Sequence, residues 1–326
     1  MLAVQNARRS NADVRLMVRV AQLYYRLHLS QAEIGERVGL SRFQVGRLLD
    51  RAVEEEIVRI AIVHPDARLV ELEDALTTRF GLDGAAVADV PAASQGNAAD
   101  DVARDAVAEL AVELLAQRAP TGTIGVSWGR TMLAVARRLP MGWTRADEIV
   151  QLNGATSRSA QPTRASEIVE RFAATTGASF RTLAAPAIVG TAQLREALAE
   201  DPAVLEALDA ARAAQTAVFG LGIPAPDSPH LGSGFVTPEE QARLREKGAV
   251  GDVIGRFLDA DGETAWRKLD RRSVGISLED LRAKPLRVGI AAGTGRGPIA
   301  LAAIRAGVLN VLACDDETAS WVLANG

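Results

Sequence analysis

Apolar and polar positions follow two different regimes along this chain, and the change near residue 80 divides it. From Asn11 to Leu27, Val14, Met17, Val18, Ala21 and Tyr25 form one helical stripe. Two shorter helices are predicted next. Ser30 opens the run Ser-Gln-Ala-Glu, a capping box with Glu33 at the third helical position, and Ser41 opens a second, Ser-Arg-Phe-Gln, ending at Gln44. Ile34 and Val38 face inward on the first, and Val45, Leu48 and Leu49 on the second. Gly39 permits a tight turn between them. Ile57 to Val63 reads as a strand in the position of a wing, broken by His64-Pro65. Leu69, Leu72, Leu76 and Phe80 then mark an amphipathic connector helix over 66–80.

Beyond residue 80, short apolar runs alternate with helical patterns. The runs are 85–90, 123–128, 148–154, 216–222, 252–259, 286–293 and 310–316. Helices are expected at Val102–Leu115, Met132–Leu139 and Ile168–Thr175, and after each of the last two runs. Such alternation predicts a mainly parallel sheet covered by helices. Pro91–Gly96 and Pro224–Gly234 read as surface loops, and Asp259 and Asp261 before Gly262 as a hairpin turn.

Charge sharpens the division. Residues 1–60 hold ten Arg and seven Asp or Glu, a net of +3, whereas the rest of the 326-residue chain carries −7. A basic N-terminal piece on an acidic body suits nucleic-acid contact at one end. On the second of the paired helices, Arg42, Gln44, Arg47 and Arg51 lie on or beside the outer face. Arg can pair bidentately with guanine and Gln with adenine. Ser30, Gln31 and Ser41 stand at helix N-termini, where backbone N–H groups can hold phosphate. The reading is a helix-turn-helix DNA-binding domain over 1–63, with double-stranded operator DNA as partner. A single cysteine, Cys314 in an apolar run, leaves no internal disulfide and reads as a buried structural thiol. Neither an apolar leader nor a stretch long enough to cross a membrane is present, which gives a cytoplasmic expectation.

The run from Tyr24 to Ile60 resembles the N-terminal domain of SorC-type sugar-responsive transcription regulators. The resemblance continues through 122–132, 150–155, 219–222, 248–262 and 309–319, and so covers nearly the whole chain in order. It implies a winged helix-turn-helix followed, over 64–326 with the connector, by a Rossmann-like α/β domain for effector binding and oligomerisation. That domain is similar to sugar-phosphate isomerases but binds its ligand without turnover. The resemblance also implies a dimer of dimers, and control of a carbohydrate or polyol operon by a sugar, polyol or sugar phosphate, without metal or cofactor.

In an open parallel sheet, ligands bind beyond the C-terminal strand ends. Ser127, Trp128, Gly129, Arg130 and Thr131 follow a predicted strand and open a helix, so their N–H groups, hydroxyls and charge can cradle an anion. Trp128 can stack on a sugar face or fill the core. Gln151, Asn153 and Gly154 end the next strand, where amides suit sugar hydroxyls. Gly220 and Gly222 allow close backbone approach or a turn, and Asp252 can accept from effector hydroxyls. Gly293, Thr294 and Arg296 belong to a second Gly-rich strand–helix loop. Family members that respond to sugar phosphates carry a lysine shortly after these glycines; here none follows, and Arg296 is the nearest cation. A dinucleotide motif over Gly293, Gly295 and Pro298 fails at its last glycine.

The alternative is an isomerase or deaminase-like enzyme acting on a sugar phosphate, with an accessory N-terminal domain. Such chemistry needs a positioned acid or base. His28 and His64 fall in the DNA-binding and linker regions, and His230 in a Pro/Gly-rich loop. Asp252 or Glu317 can serve as a base, but no acid–base pair or metal-ligand cluster emerges, and no catalytic residue is assigned.

Overall fold

The computed structural model describes residues 2–25, 27, 29–54, 57–58, 69–90, 97–157, 163–225 and 228–326. The chain forms two compact units, Met1–His64 and Pro65–Gly326.

The first unit contains α1 (Leu2–Tyr25), α2 (Gln31–Val38) and α3 (Arg42–Glu54). Both capping boxes form. The Glu33 carboxylate accepts from the Ser30 N–H while the Glu33 N–H donates to Ser30 Oγ, and Ser41 and Gln44 do the same for α3. Gly39 ends α2 in the left-handed region at φ 73°. A small core of Val20, Ala21, Ile34, Val45 and Leu49 joins the three helices. The stripe expected on α1 is only partly inward: Met17 and Ala21 are buried, with Val20 between them, but Val14, Val18 and Tyr25 are exposed. Three helices around so small a core bury only a narrow strip of α1. Of the expected wing, only Ile57 and Val58 lie within the described residues.

Gly35 has a packing reason. A Cβ there would lie 2.4 Å from the Leu40 carbonyl oxygen of the turn. Gly35→Ala adds a better helix former, yet it is expected to force the α2–α3 turn open at a cost of about 1–3 kcal/mol. Circular dichroism should show loss of the N-terminal helices, with the unfolding transition of the larger unit unchanged.

The second unit opens with α4 (Val70–Phe80) and β1 (Gly84–Ala88). It continues with α5 (Asn97–Arg118), β2 (Gly122–Val126), α6 (Arg130–Arg138), β3 (Ala146–Gln151), α7 (Ala165–Thr176), β4 (Ser179–Arg181), α8 (Ala192–Glu200) and α9 (Pro202–Ala213). Then come β5 (Thr216–Gly222), α10 (Pro229–Gly232), α11 (Pro238–Glu246), β6 (Gly251–Val253), β7 (Arg256–Leu258), α12 (Arg267–Asp270) and α13 (Leu278–Arg282). The unit closes with β8 (Leu286–Ala291), α14 (Gly297–Arg305), β9 (Val311–Asp315) and α15 (Asp316–Asn325).

Seven strands form a parallel sheet in the order β1-β9-β8-β5-β2-β3-β4, with the antiparallel β6–β7 hairpin attached to the end of β5. Successive strand residues feed opposite faces, as the pleat requires. Ala86 and Ala88 enter a core with α5, α6 and α7, while Ala85 and Val87 enter a second core with α4, α9, α14 and α15. The α4 helix therefore packs as a layer of this unit, its Leu76 fully buried; residues 66–68 of the expected connector lie outside the described residues. Cys314 is likewise fully buried on β9, and burial pushes its thiol well above the usual range.

The apolar run 252–259 is not one strand but a hairpin. Val253 pairs with Arg256 across a two-residue turn, and Ile254 and Gly255 both take positive φ, 49° and 80°. Such turns ordinarily carry Asn-Gly or Asp-Gly; a β-branched residue there hides the signal. The turn at Asp259 does form, with its carboxylate accepting from the Asp261 and Glu263 N–H groups.

Candidate functional site

On α3, Arg42, Phe43, Gln44, Arg47 and Arg51 are exposed, whereas Val45, Leu49 and Ala52 are buried on the opposite side. The sequence reading missed Phe43, which is 74% exposed with the Arg42 guanidinium 5.1 Å from its ring centroid. An exposed aromatic beside arginines can make apolar contact with a thymine methyl. Two expectations need correction. The Gln44 Oε1 is engaged by the Ser41 N–H and hydroxyl, so Gln44 cannot offer its whole amide to adenine without giving up the cap. The Ser30 N–H and hydroxyl both go to the Glu33 carboxylate, which its hydrogen bonds to Ser30 hold below the usual range, so a negative charge already stands where a phosphate was expected. Gln31 is half-buried beside Gly46 of α3, and Ser41 is exposed.

In the larger unit a cavity of about 300 Å³ opens at the C-terminal ends of β2, β3, β5 and β8. This is where the chain, having built outward through β3 and β4, returns beside β2 with β5, the switch point at which open α/β sheets bind ligands. Ser127, Trp128, Gly129, Arg130 and Thr131 all line it, as do Asn153, Gly220, Gly222, Asp252, Thr294 and Arg296. The α6 helix starts at this wall with Gly129 at φ 137° and no side-chain cap.

Three predicted residues are not on the wall. Gln151 is buried behind it, donating to the Asn153 carbonyl at 2.6 Å and accepting from the Leu183 N–H, because its strand position points into the fold. Gly154 faces the backbone of Pro186, where a Cβ would lie 2.3 Å from the carbonyl oxygen, and its own carbonyl accepts from Trp128 Nε1. The Gly293 N–H donates to the Asp315 carboxylate at 2.7 Å.

The loop Pro224–Gly234 is not a plain surface loop. Residues 226–227 lie outside the described residues, but Ser228, His230 and Ser233 are buried, and His230 lines the cavity. An aromatic cluster draws it inward: the His230 ring centroid lies 5.2 Å from Trp128, 5.7 Å from Phe257 and 6.3 Å from Phe235. His230 Nε2 meets Asp252 Oδ2 at 3.0 Å, and the Gly255 N–H donates to the same oxygen at 3.0 Å. Burial pushes the Asp252 carboxyl up, but His230, the Gly255 N–H and Arg296 outweigh it and hold the carboxyl below its usual range. An acid–base pair therefore exists, contrary to the sequence expectation. Gly222 makes it possible, since a Cβ there would lie 2.0 Å from Asp252 Oδ1; Gly220 meets only ordinary van der Waals neighbours.

Three buried polar atoms of wall residues have no hydrogen-bond partner: Asn153 Oδ1, His230 Nδ1 and Arg296 Nε. Orphaned buried polar groups are rare in a finished fold. Asn153 presents an acceptor and Arg296 a donor. Burial lowers the Arg296 pKa, with Asp100 opposing that shift and Arg130 adding to it. The sequence reading missed His230, Asp100 and Arg104 on this wall. Asp100 falls before the helix start expected at Val102, whereas α5 begins at Asn97 and puts Asp100 and Arg104 at i and i+4 on one face; nothing local linked that face to the strand ends.

Residues 64–324 match the family described as "Putative sugar-binding domain". This chain is a SorC-type sugar-binding transcriptional regulator. It is 30% identical over 305 residues to the Deoxyribonucleoside regulator of Bacillus subtilis, covering 93% of this chain and 96% of that one. It is 31% identical over 318 residues to the Transcriptional regulator LsrR of Klebsiella pneumoniae, covering 96% and 94%. Among solved structures, the full-length sorbitol operon regulator SorC of Klebsiella pneumoniae superposes with a TM-score of 0.67 at 27% identity, covering 96% of this chain and 99% of that one. As in other SorC-type regulators, the mainly parallel α/β unit is the sugar-binding part of a DNA-binding regulator. No described helix is long and apolar enough to cross a membrane.

Proposed function

We propose that this SorC-type regulator controls a carbohydrate or polyol operon from the cytoplasm. In this reading the unit up to residue 63 binds operator DNA through α3, and residues 64–326 bind the effector and hold an oligomer, a dimer of dimers. The observation that carries the effector role is the set of unpartnered atoms at Asn153, His230 and Arg296 around one cavity. A hydroxyl both donates and accepts, so a polyhydroxylated ligand matches this mixed set. The relatives' names, one speaking of a deoxyribonucleoside and one of a sorbitol operon, support a carbohydrate or polyol. Ligand alters DNA affinity to the extent that it binds two states of the protein unequally.

The test is a thermal-unfolding panel of sugars, polyols and their phosphate esters. A ligand selective for the folded state raises the midpoint, by about 2.7 kcal/mol of stabilisation at 100 times its Kd. Asp252→Asn is expected to abolish that rise. Trp128 supplies a second readout: ligand entry should change the intrinsic fluorescence, and Trp128→Phe should remove most of the change. A flat midpoint across the panel, with unchanged fluorescence, would count against the effector reading.

The His230–Asp252 pair favours one competing reading, an isomerase or deaminase-like enzyme, because a carboxylate-oriented imidazole is a general-base arrangement. Turnover of ribose or hexosamine phosphates that disappears in Asp252→Asn would establish it. Ligand binding without turnover supports the regulator.

A further inference from the structure

We infer that Asp100 is the specificity residue of the effector cavity: its carboxylate occupies the anion seat of the Gly-rich loop 292–297 and closes that end of the site to a phosphate group. The inference rests on the effector reading and narrows its ligand to an uncharged polyhydroxylated molecule.

A strand–glycine–helix loop holds anions through consecutive backbone N–H groups. Here three such groups in a row are already engaged. Gly293 donates to Asp315 Oδ2 at 2.7 Å, Thr294 to Asp100 Oδ1 at 2.9 Å, and Gly295 to Glu317 Oε1 at 3.4 Å. Asp315 ends β9 as the N-cap of α15, and Glu317 lies in the first turn of that helix. Asp100 is different: it comes from the first turn of α5 and lines the cavity itself. Its carboxylate lies so close to the loop that a Cβ on Gly293 would sit 2.8 Å from Oδ1. A phosphate entering this seat would meet a carboxylate in place of a donor, and like charges a few ångströms apart repel strongly in a partly buried site.

The surrounding charge agrees. Arg104, Arg130 and Arg296 face the cavity, but Arg104 pairs with Asp101, and Arg296 has Asp100 and Asp252 as charged neighbours. Two of these three guanidiniums, those of Arg104 and Arg296, thus have carboxylates of the chain beside them. The polar demand left over is at Asn153 Oδ1, His230 Nδ1 and Arg296 Nε. Asn153 Oδ1 needs a donor, which a hydroxyl supplies and a phosphate dianion does not.

The experiment titrates inorganic phosphate into the full chain, the Asp100→Ala variant and the Asp100→Asn variant, by calorimetry and thermal midpoint at constant ionic strength. Asp100→Asn keeps an acceptor for the Thr294 N–H and removes only the charge, so it covers the case in which the alanine variant does not fold. The wild type is expected to bind phosphate weakly or not at all. A folded variant is expected to gain at least about tenfold in affinity as the repulsion is removed. Equal phosphate binding by wild type and variants, or no gain in any folded variant, overturns the assignment. The sugar and polyol panel on the wild type keeps the two readings apart. A phosphate gain with no ligand in the panel sinks the effector reading and leaves Asp100 as the closed seat. A free polyol that binds, with no phosphate gain, does the reverse.

Discussion

The double variant Arg42→Ala, Arg47→Ala is expected to lose at least about 30-fold in affinity for duplex DNA selected by the wild-type chain, since each good arginine–base pairing is worth about 1–3 kcal/mol. Both side chains are exposed on α3, whose inner face is held by Val45, Leu49 and Ala52, so the helix keeps its packing when they are truncated. The single variants separate two roles. An arginine that reads a base should relax preference at one operator position, whereas one that holds a phosphate should weaken all sequences alike and reduce the salt slope by about one. Ligand-induced stabilisation of the larger unit should be unchanged. Full operator affinity in the double variant would remove α3 from the interface.

The second large effect concerns stability. Lys284 is 2% exposed, and its ammonium donates to the carbonyls of Ala211, Arg212 and Ala214 at 2.7, 3.0 and 2.9 Å. These are carbonyls at the C-terminal end of α9, which the helix itself cannot pair and where a cation is favoured. Lys284→Met keeps the bulk and removes every donor, so the folded state should lose about 2–4 kcal/mol, read as a lower midpoint in urea unfolding with the same slope. The variant also tests a pH dependence. Burial lowers the Lys284 pKa from 10.5 to about 8, with Asp280 opposing. Between those values the unfolded chain holds a proton that the folded chain has released, so this group's contribution to stability rises with pH across that window. The deficit of Lys284→Met should therefore widen from pH 8 toward pH 10. A constant gap would mean that the ammonium stays charged in the fold.

Several elements were legible because each declares itself within a few residues: in the larger unit β9 as an apolar run and α6 and α7 as periodic stretches, and in the first unit α2 and α3 by their capping boxes. Ile254 shows where that logic stops. A turn at positive φ is ordinarily announced by Asn or Gly, and the isoleucine there made two strands look like one. The wall formed by residues 127–131 was readable because a strand, a glycine and a helix follow one another directly in the chain. His230 was not, since it is brought to Asp252 by packing against Trp128, Phe235 and Phe257, three aromatics far apart in sequence.

By itself the sequence determined the two-unit order, the helix–turn–helix pair, the alternating α/β pattern and the strand ends at which a ligand can sit. All of these follow from hydrophobic period, caps and chain breaks acting over a turn or two of backbone. Only the tertiary structure decided the strand order, the His230–Asp252 pair, the close approach that requires glycine at 222, and the Asp100 carboxylate on the Thr294 amide. Those depend on which distant segments share the low-dielectric interior, where an unpaired polar group is costly and each must find its partner across the fold.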